Sequence, residues 1–427
     1  MIWISIFLSL FFLIAGTAIA YVFGSAAILA FIAADKAQYL AILPQRIFSQ
    51  LDVFALMAMV LFILVGEIMN RNGVTKSLIK FAMSFVGRFK GGLGHVNILT
   101  SVFFAGISGS AVADAASLSN TLIPAMCKQG YSKSYAGAIT AASAVIGPIV
   151  PPSIILIFYG ALMQVSIGGL FAAGIIPGLL LSVTLFIMNG IMAHKLDHPG
   201  GGESKDLPPV WPSLYKALPA LTLPVIILGG IVFGIVTPTE AAGLAVVAAL
   251  VAGTFYEGLS LRSLFQGIER TAILTGSIFI ILAAAACAGY IGSLEQWPQK
   301  IATLVMHFDL TGIQFLLLVN FLFLLAGMVM DIPMAIALLV PLFGPVCVAQ
   351  GTDPTHLGII LCLNLTIGLI TPPIGACLIV VSAISDENYW SLAKSTLPFV
   401  AVEAAFLILI TLVPEISLFL PRLLGYS

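Results

Sequence analysis

The chain has 427 residues, of which 60% are hydrophobic and only 8% are charged, with a formal net charge of −1. Soluble domains carry about 25% charged residues, so this composition excludes a soluble globular protein. It predicts an all-α polytopic membrane protein, built as a single integral membrane domain over residues 1–427. A chain without a basic excess gives no indication of a nucleic-acid partner.

Apolar runs follow one another along the chain and predict its membrane segments. They cover residues 2–20, 22–34, 53–69, 97–126, 134–163, 169–193, 218–236, 241–256, 272–293, 313–348, 356–384 and 397–419. We interpret the first run as a spanning helix rather than a cleaved signal peptide, because residues 1–14 contain no Lys or Arg. Residues 70–95 interleave basic and apolar side chains, which is typical of an amphipathic arm helix in the membrane interface. The hydrophilic segment 197–216 predicts a connecting loop.

Two of these runs contain a pair of prolines at matching places. Residues 146–152 and 367–373 are 221 positions apart and share five of their seven residues, including one glycine and both prolines of the pair. In lipid, a helix interrupted in this way is tolerated only where protein or a water-filled cavity satisfies the freed backbone. The two segments therefore predict broken transmembrane helices, over residues 134–163 and 356–384.

The prolines also predict which backbone atoms are freed. Proline has no N–H to donate, so Pro151 leaves the carbonyl of Gly147 without its helical partner. Pro372 and Gly368 stand in the same relation in the second segment. We therefore expect two carbonyl oxygens at membrane depth with no donor from their own helix.

Each proline break follows an apolar run that glycines interrupt, and such a run predicts a re-entrant hairpin. The first repeat covers residues 52–163 and contains the hairpin 97–126; the second covers 272–384 and contains the hairpin 313–348. Three spans separate the two copies, so the second enters the membrane from the opposite side. This inverted-repeat arrangement is the one that places a binding site at the midplane of secondary transporters.

The basic residues predict the orientation, since cytoplasmic loops carry an excess of Lys and Arg. If the first hairpin enters and returns on one side, 13 of the 17 basic residues lie on that same side. That side is predicted to be cytoplasmic. The first hairpin and the loop 197–216 then lie on the cytoplasmic side, while the second hairpin and the N-terminus lie on the periplasmic side.

Polar groups at the hairpin tips are the candidate cation ligands. The freed carbonyls of Gly147 and Gly368 offer oxygen atoms of the kind that coordinates Na⁺ in broken-helix transporters. The hydroxyls of Ser108 and Thr371 could complete the shell. Ser108 and Ser110 could equally cap a half-helix, and the two roles are compatible.

Two acids lie just past the hairpin tips, in apolar sequence where charge is costly. Asp114 could pair with a cation, bind a proton or accept hydrogen bonds from the backbone. Asp331 precedes Pro333, so it could cap the second half-helix. The half-helix N-termini favour an anionic ligand. Glu67 and Glu240 lie at span ends and are interpreted as interfacial.

The sequence gives little support for an enzyme or a metal centre. It contains no HExxH, GxSxG or P-loop pattern, and its five histidines lack metal-site spacing. The five cysteines stand singly in or beside apolar runs and are interpreted as small buried hydrophobes. They are Cys127, Cys287, Cys347, Cys362 and Cys377.

The motifs together resemble a known family. Residues 105–114 (AGISGSAVAD), 138–153 (AITAASAVIGPIVPPS) and 366–375 (TIGLITPPIG) are similar to the large membrane subunit of tripartite ATP-independent periplasmic (TRAP) transporters. Residues 62–70 (FILVGEIMN) are similar to the same family, and the resemblance extends over essentially the whole chain.

The resemblance implies a mechanism and a set of partners. Members of this family import acidic organic substrates across the bacterial inner membrane, driven by a Na⁺ gradient and by an elevator-like movement of a transport domain. A small membrane subunit of four helices and a periplasmic substrate-binding protein complete the system. The resemblance implies two or more Na⁺ sites, one with Ser108, Gly147, Val150 and Pro152, the other with Gly327, Gly368 and Thr371. It places the substrate near Ser110, Asp114 and Asp331.

The identity of the substrate is left open between two classes of organic acid. The sequence is most similar to the sialic-acid (N-acetylneuraminate) branch, with C4-dicarboxylate members next. Two alternatives to a TRAP subunit stay open: a stand-alone Na⁺/carboxylate symporter of similar design, which needs no binding protein, and, more remotely, a membrane-embedded enzyme.

Overall fold

A computed structural model describes residues 11–12, 15–71, 73–199, 207–256 and 260–426. Most of the predicted first span (2–20) and the centre of the predicted loop 197–216 therefore lie outside the described residues. Within the described ranges all regular secondary structure is helical. The first part of the chain forms α1 (Ile19–Ala33), a 3-10 helix (Ala37–Ile42), α2 (Leu43–Leu51), α3 (Phe54–Arg71) and α4 (Val74–Val86).

The next two helix pairs are the first hairpin and the first broken helix. They are α5 (Gly92–Ser108), α6 (Ala111–Lys128), α7 (Lys133–Ala144) and α8 (Ile154–Met163). Four longer helices follow: α9 (Ile167–Lys195), α10 (Val210–Val232), α11 (Pro238–Phe255) and α12 (Leu261–Leu294).

The remaining helices repeat the earlier order of a short helix, a hairpin and a broken helix. They are α13 (Trp297–His307), α14 (Gly312–Gly327), α15 (Ile332–Ala349), α16 (Pro354–Gly368), α17 (Ala376–Ser385), α18 (Tyr389–Leu412) and α19 (Glu415–Leu423). The helix interruptions thus fall inside the four runs where glycines and proline pairs predict them.

Seven helices of the described chain are long and apolar enough to cross a membrane: α3, α9, α10, α11, α12, α15 and α18. Large apolar side chains are exposed on the outer helices, for example Val225 on α10, Val247 on α11 and Phe265 on α12. A contiguous apolar surface of this kind suits contact with lipid or another membrane subunit. The fold is therefore that of a polytopic membrane protein.

Several helices begin earlier than the hydropathy pattern predicts, and α10 and α12 are two examples. α10 begins at Val210, so the connecting loop ends before residue 216. α12 begins at Leu261, well before the predicted apolar run 272–293. Both errors have the same cause: the first turns include polar or charged side chains, such as Ser213 and Arg262, and a hydropathy pattern detects only the continuously apolar part of a helix.

The two hairpins and two broken helices form one packed body. α6 packs against α7 and α17, and α14 packs against α16. α9 and α18 cover this body on its other sides. α3 lies between α11 and α12 on one side and touches α5 and α8 on the other, so it joins the outer helices to the hairpin region.

Candidate functional site

The tip of the first hairpin rests on the first helix break. α5 ends at Ser108, Gly109 adopts a left-handed conformation (φ +59°), and Ser110 caps α6. A Cβ at position 109 would lie 2.6 Å from the carbonyl oxygen of Pro152, so only glycine allows this approach. The prediction that each tip lies beside the break of its own repeat is confirmed for the first copy.

Asp114 lies behind this tip and is completely buried, with 0% of its surface exposed. Its Oδ1 accepts a hydrogen bond from the hydroxyl of Ser108. Its Oδ2 has no hydrogen-bond partner among the described residues. A Cβ at Gly147 would lie 2.6 Å from that oxygen, so the unpartnered oxygen is next to the backbone of the break.

The first break leaves three carbonyl oxygens available. The N–H groups of Ile149 and Val150 both donate to Ile146, at 3.1 Å. In the described structure no donor reaches the carbonyls of Gly147, Val150 or Pro152. The prediction of a freed Gly147 carbonyl is therefore confirmed, and oxygen atoms of the kind that hard cations bind are concentrated here.

The carbonyl of Pro148 differs from these three. It accepts hydrogen bonds from the hydroxyl of Ser153 and from the thiol of Cys362, the latter at 3.1 Å. Ser153 also caps α8, accepting from the N–H of Leu156 at 3.2 Å. The second half of the broken helix thus begins with a satisfied cap, which holds the break open in a defined shape.

The second break is built on direct contact between two helix backbones. α14 ends at Gly327 and α16 ends at Gly368. A Cβ at position 368 would lie 2.6 Å from the Cα and 2.8 Å from the oxygen of Gly327. The second hairpin therefore also lies against the helix break that follows it in the chain, as predicted.

One prediction for the second break is wrong. The carbonyl of Gly368 is not left without a donor, because the N–H of Thr371 donates to it at 3.0 Å. The chain makes one tight turn after α16 before the prolines, and this turn supplies the missing donor locally. The hydroxyl of Thr371 donates to the carbonyl of Ile367 at 2.7 Å and keeps its lone pairs.

Asp331 occupies the tip of the second hairpin. It caps α15, accepting from the N–H of Ile332 at 3.0 Å, which confirms the alternative that it acts as an N-cap. The side chain is also exposed to a cavity, so capping does not use up the carboxylate.

That cavity has a volume of about 1050 Å³ and lies between the two hairpin tips. Ser108 and Ser110 of the first tip and Asp331 of the second line it. The other predicted ligands lie behind its wall, in the hairpin–break contacts described above. They are Asp114, Gly147, Val150, Pro152, Gly327, Gly368 and Thr371.

The far end of the cavity is basic, which the sequence did not suggest. Arg71 of α3 and Arg270 of α12 line it, together with Lys76 and Glu67. Arg71 is held by Glu67 at 3.4 Å and donates to Gln266 at 3.1 Å. Glu67 and the segment 70–95 were predicted only as interfacial, because sequence separation gives no sign that α3 and α12 meet. Glu240, by contrast, caps α11 in a capping box with Thr237, at the surface.

Paired hairpins and broken helices around a polar cavity in an apolar helical body define a membrane transporter. The chain belongs to the family described as "Tripartite ATP-independent periplasmic transporter, DctM component", which matches residues 6–416. It is therefore a TRAP transporter permease and not an enzyme, and the family name describes a system of three components in which this chain is the large membrane one.

Named relatives and a solved structure agree with this assignment. The chain is 39% identical over 388 residues to the sialic acid TRAP transporter large permease SiaM of Vibrio cholerae, covering 90% of each chain. It is 37% identical to the C4-dicarboxylate TRAP transporter large permease DctM of Pseudomonas aeruginosa, covering 92% of this chain and 91% of that one. The YdaH transporter of Alcanivorax borkumensis has a similar fold, with a TM-score of 0.66 at 17% identity over 90% of this chain and 89% of that one.

Proposed function

We propose that this chain is the large subunit of a Na⁺-coupled TRAP transporter that imports an acidic organic substrate. The observation that carries the proposal is the first hairpin–break contact. There a buried carboxylate with one unpartnered oxygen, Asp114, lies beside a backbone whose carbonyls at Gly147, Val150 and Pro152 have no donor within the described chain. A hard monovalent cation is the kind of ligand that oxygens without donors would bind.

The first Na⁺ site would consist of the Ser108 hydroxyl and the carbonyls of Gly147, Val150 and Pro152. Asp114 would supply the countercharge through the hydrogen bond from Ser108. Broken helices in transporters use freed carbonyls and half-helix C-terminal ends in this way.

The second Na⁺ site would use Gly327, Gly368 and Thr371. The Gly368 carbonyl can still act as a ligand, since a carbonyl has two lone pairs and Thr371 occupies only one. Cation binding here would depend on the close contact between α14 and α16, because that contact sets the positions of the oxygens.

The substrate would bind between the two tips, next to Ser110 and Asp331. The cavity has the size of a small-molecule site, and its basic far end favours an anion. We propose N-acetylneuraminate first and a C4-dicarboxylate next, because relatives named for each are 39% and 37% identical to this chain. Asp331 would then contact hydroxyl or amide groups rather than the substrate carboxylate, since like charges repel.

Na⁺ and substrate would move together on the packed body of hairpins and broken helices. We propose that the units α3–α8 and α12–α17 form an inverted repeat, and that the body slides as an elevator against α10–α12. Because Ser108 belongs to both the Na⁺ shell and the cavity wall, cation binding would order the surface that the substrate meets. This shared wall couples the two.

The membrane orientation is proposed from charge. Two ion pairs join distant segments, and each joins two segments that are predicted to lie on the same side of the membrane. Lys36 pairs with Glu295 at 2.6 Å, and Lys90 pairs with Asp197 at 2.7 Å. Each lysine holds the pKa of its exposed carboxylate partner below the usual range. The basic side would be cytoplasmic, the N-terminus periplasmic, and the cavity open to the cytoplasm in this conformation.

Reconstitution tests the proposal. Uptake of radiolabelled N-acetylneuraminate or succinate into liposomes should require an inward Na⁺ gradient, a small membrane subunit and a periplasmic binding protein. Replacing Na⁺ by K⁺ should abolish uptake. Uptake by this chain alone would favour the stand-alone symporter, and Na⁺-independent uptake by the complete system would contradict Na⁺ coupling.

A further inference from the structure

Glu403 is a buried acid that the proposed transport site does not use. It lies near the middle of α18, and none of its surface is exposed. Neither carboxyl oxygen has a hydrogen-bond partner among the residues that the structure describes. By contrast Glu415, one helix further along, is exposed and pairs with Arg422 at 2.5 Å. The sequence signal was an acid in the middle of the apolar run 397–419, whose second acid, Glu415, lies near its end.

The surroundings of Glu403 exclude a cationic side chain as its partner. On its own helix face, the residues three and four positions away include Phe399, Phe406 and Leu407, all buried. Five helices pack against α18: α7, α9, α14, α16 and α17. The titratable or basic residues on these helices are Lys133, Tyr135, His194, Lys195, His356, Cys362 and Cys377, and α14 has none.

Of these groups, Cys377 of α17 lies within electrostatic range of Glu403. The same thiol lies within range of Asp114 and Asp331. Three carboxyl groups therefore lie in the neighbourhood of one residue of this short helix. Ala376 and Val380 of α17 line the cavity, and α17 packs against α18, so one helix separates Glu403 from the proposed substrate site.

An ionised carboxylate in this position is strongly disfavoured, because it has lost its water and gained neither a donor nor a countercharge. A metal cation needs several oxygen ligands, and Phe399, Phe406 and Leu407 offer none. A proton needs no ligand other than the carboxyl group itself. Nearby acids add to the effect, because like charges favour the neutral form of one another.

We propose that Glu403 is a proton-binding site in the core of the transport body. It holds a proton in the conformation described here, and exchanges it only when α17 and α18 separate enough to admit water. The proposal does not depend on the identity of the substrate or on Na⁺ coupling, since occupancy by a proton is measured without transport.

Infrared spectroscopy of the purified full chain, in Na⁺-free buffer at neutral pH, tests this directly. A protonated carboxylic acid has a carbonyl stretching band separate from that of a carboxylate. Buried Asp114 can contribute to the same band, so we expect Glu403→Gln to remove one component of it rather than all of it. Asp114→Asn and Asp331→Asn should keep the Glu403 component. An unchanged spectrum in Glu403→Gln would show that Glu403 is ionised and would overturn the proposal.

Two further measurements keep the test decisive if the glutamine variant folds poorly. Biosynthetic labelling with ¹³C-glutamate should shift the Glu403 component of the band in the wild-type protein, because the other described glutamates are exposed or half-buried. An unshifted band would assign it to an aspartate and contradict the proposal. After transfer to D₂O the band should shift slowly compared with mixing, as expected for a closed site. An immediate shift would contradict the gated exchange.

Discussion

Ser108 joins the first hairpin tip to the buried carboxylate of Asp114. Its hydroxyl donates to Asp114, and its oxygen accepts from the N–H of Ser110 at 3.2 Å. The side chain therefore holds the tip and orients the acid in the same geometry. This double use explains why the capping and ligand interpretations of Ser108 do not compete.

We predict that Ser108→Ala raises the Na⁺ concentration for half-maximal uptake by on the order of tenfold. A hydrogen bond to a charged group is worth roughly 1.5–3 kcal/mol, and about 1.4 kcal/mol corresponds to a factor of ten in affinity. The measurement is the Na⁺ dependence of initial uptake rates in proteoliposomes.

Ser119→Ala on α6 is the matched control for Ser108→Ala. Ser119 is also a buried serine, but its hydroxyl has no partner among the described residues. Its removal should leave the Na⁺ dependence unchanged. If Ser108→Ala also leaves it unchanged, Ser108 is only a helix cap.

Asp331→Asn separates the two roles of the second acid. Asparagine caps helices about as well as aspartate, so the start of α15 should survive the change while the negative charge in the cavity is lost. We expect uptake to fall at least several-fold while the yield of folded protein stays near that of the wild type. Size-exclusion profiles and uptake rates measure the two effects. Loss of folded protein with normal uptake per molecule would mean that the cap is the main role.

The crossing of α14 and α16 is the tightest contact between the second hairpin and its broken helix. Because backbone meets backbone at Gly327 and Gly368, an added methyl group cannot be relieved by side-chain rotation. We predict that Gly368→Ala destabilises the protein by about 1–3 kcal/mol, the usual cost of overpacking. Thermal unfolding of the detergent-purified protein measures this.

Gly276→Ala provides the control for Gly368→Ala. A Cβ at Gly276, in α12, would meet nothing within 4 Å. Alanine has a higher helix propensity than glycine, so this variant should melt at or slightly above the wild-type temperature. Equal melting temperatures for both variants would show that the two helices separate easily, and would argue against a rigid second cation site.

The helix interruptions could be predicted from the sequence because they follow from single residues. A proline pair breaks a helix wherever it stands, and glycine with serine at a hairpin tip ends one half-helix and caps the next. The local outcome at Gly368 could not be predicted this way. It depends on whether the turn after α16 places the N–H of Thr371 within reach, and the matching turn after Gly147 directs the N–H of Val150 to Ile146 instead.

Contacts between distant segments were beyond the reach of sequence reasoning for a different reason. The sequence indicates that Asp114 is an acid in a costly apolar position. It does not indicate that the unpartnered Oδ2 of Asp114 faces Gly147. Glu403 was not predicted as a site residue, since nothing in its own helix indicates that Cys377 and two further acids lie nearby. Such juxtapositions come from the packing of α6, α17 and α18, which no periodicity within one helix encodes.

The cavity combines polar residues of the two hairpin tips with basic residues from other helices of the molecule. The tips contribute Ser110 and Asp331, whereas Arg71 and Arg270 come from helices outside the transport body. An anion leaving the tips would therefore move toward positive potential, which would lower the cost of its release into water. This asymmetry would be lost if the transport body moved away from α3 and α12.

Arg270 is the residue on which this idea can be tested. Arg71 is engaged by Glu67 and Gln266. Arg270 makes no hydrogen bond or ion pair with any residue that the structure describes, and its side chain is exposed in the cavity. Its charge is available to a passing anion, and unit charges at roughly 4 Å attract by about 1 kcal/mol even at the dielectric constant of water.

We predict that Arg270→Gln weakens binding of N-acetylneuraminate or succinate to the solubilised protein by about fivefold, the factor that about 1 kcal/mol gives. It should also reduce the salt dependence of binding, because added salt screens the charge that has been removed. Titration calorimetry at two ionic strengths measures both effects.

Arg262→Gln is the matched control: it removes the same charge from the same helix, eight residues earlier, at an exposed position outside the cavity. Equal weakening by both variants would trace the effect to net charge, and no weakening by Arg270→Gln would mean that the anion does not pass the basic end.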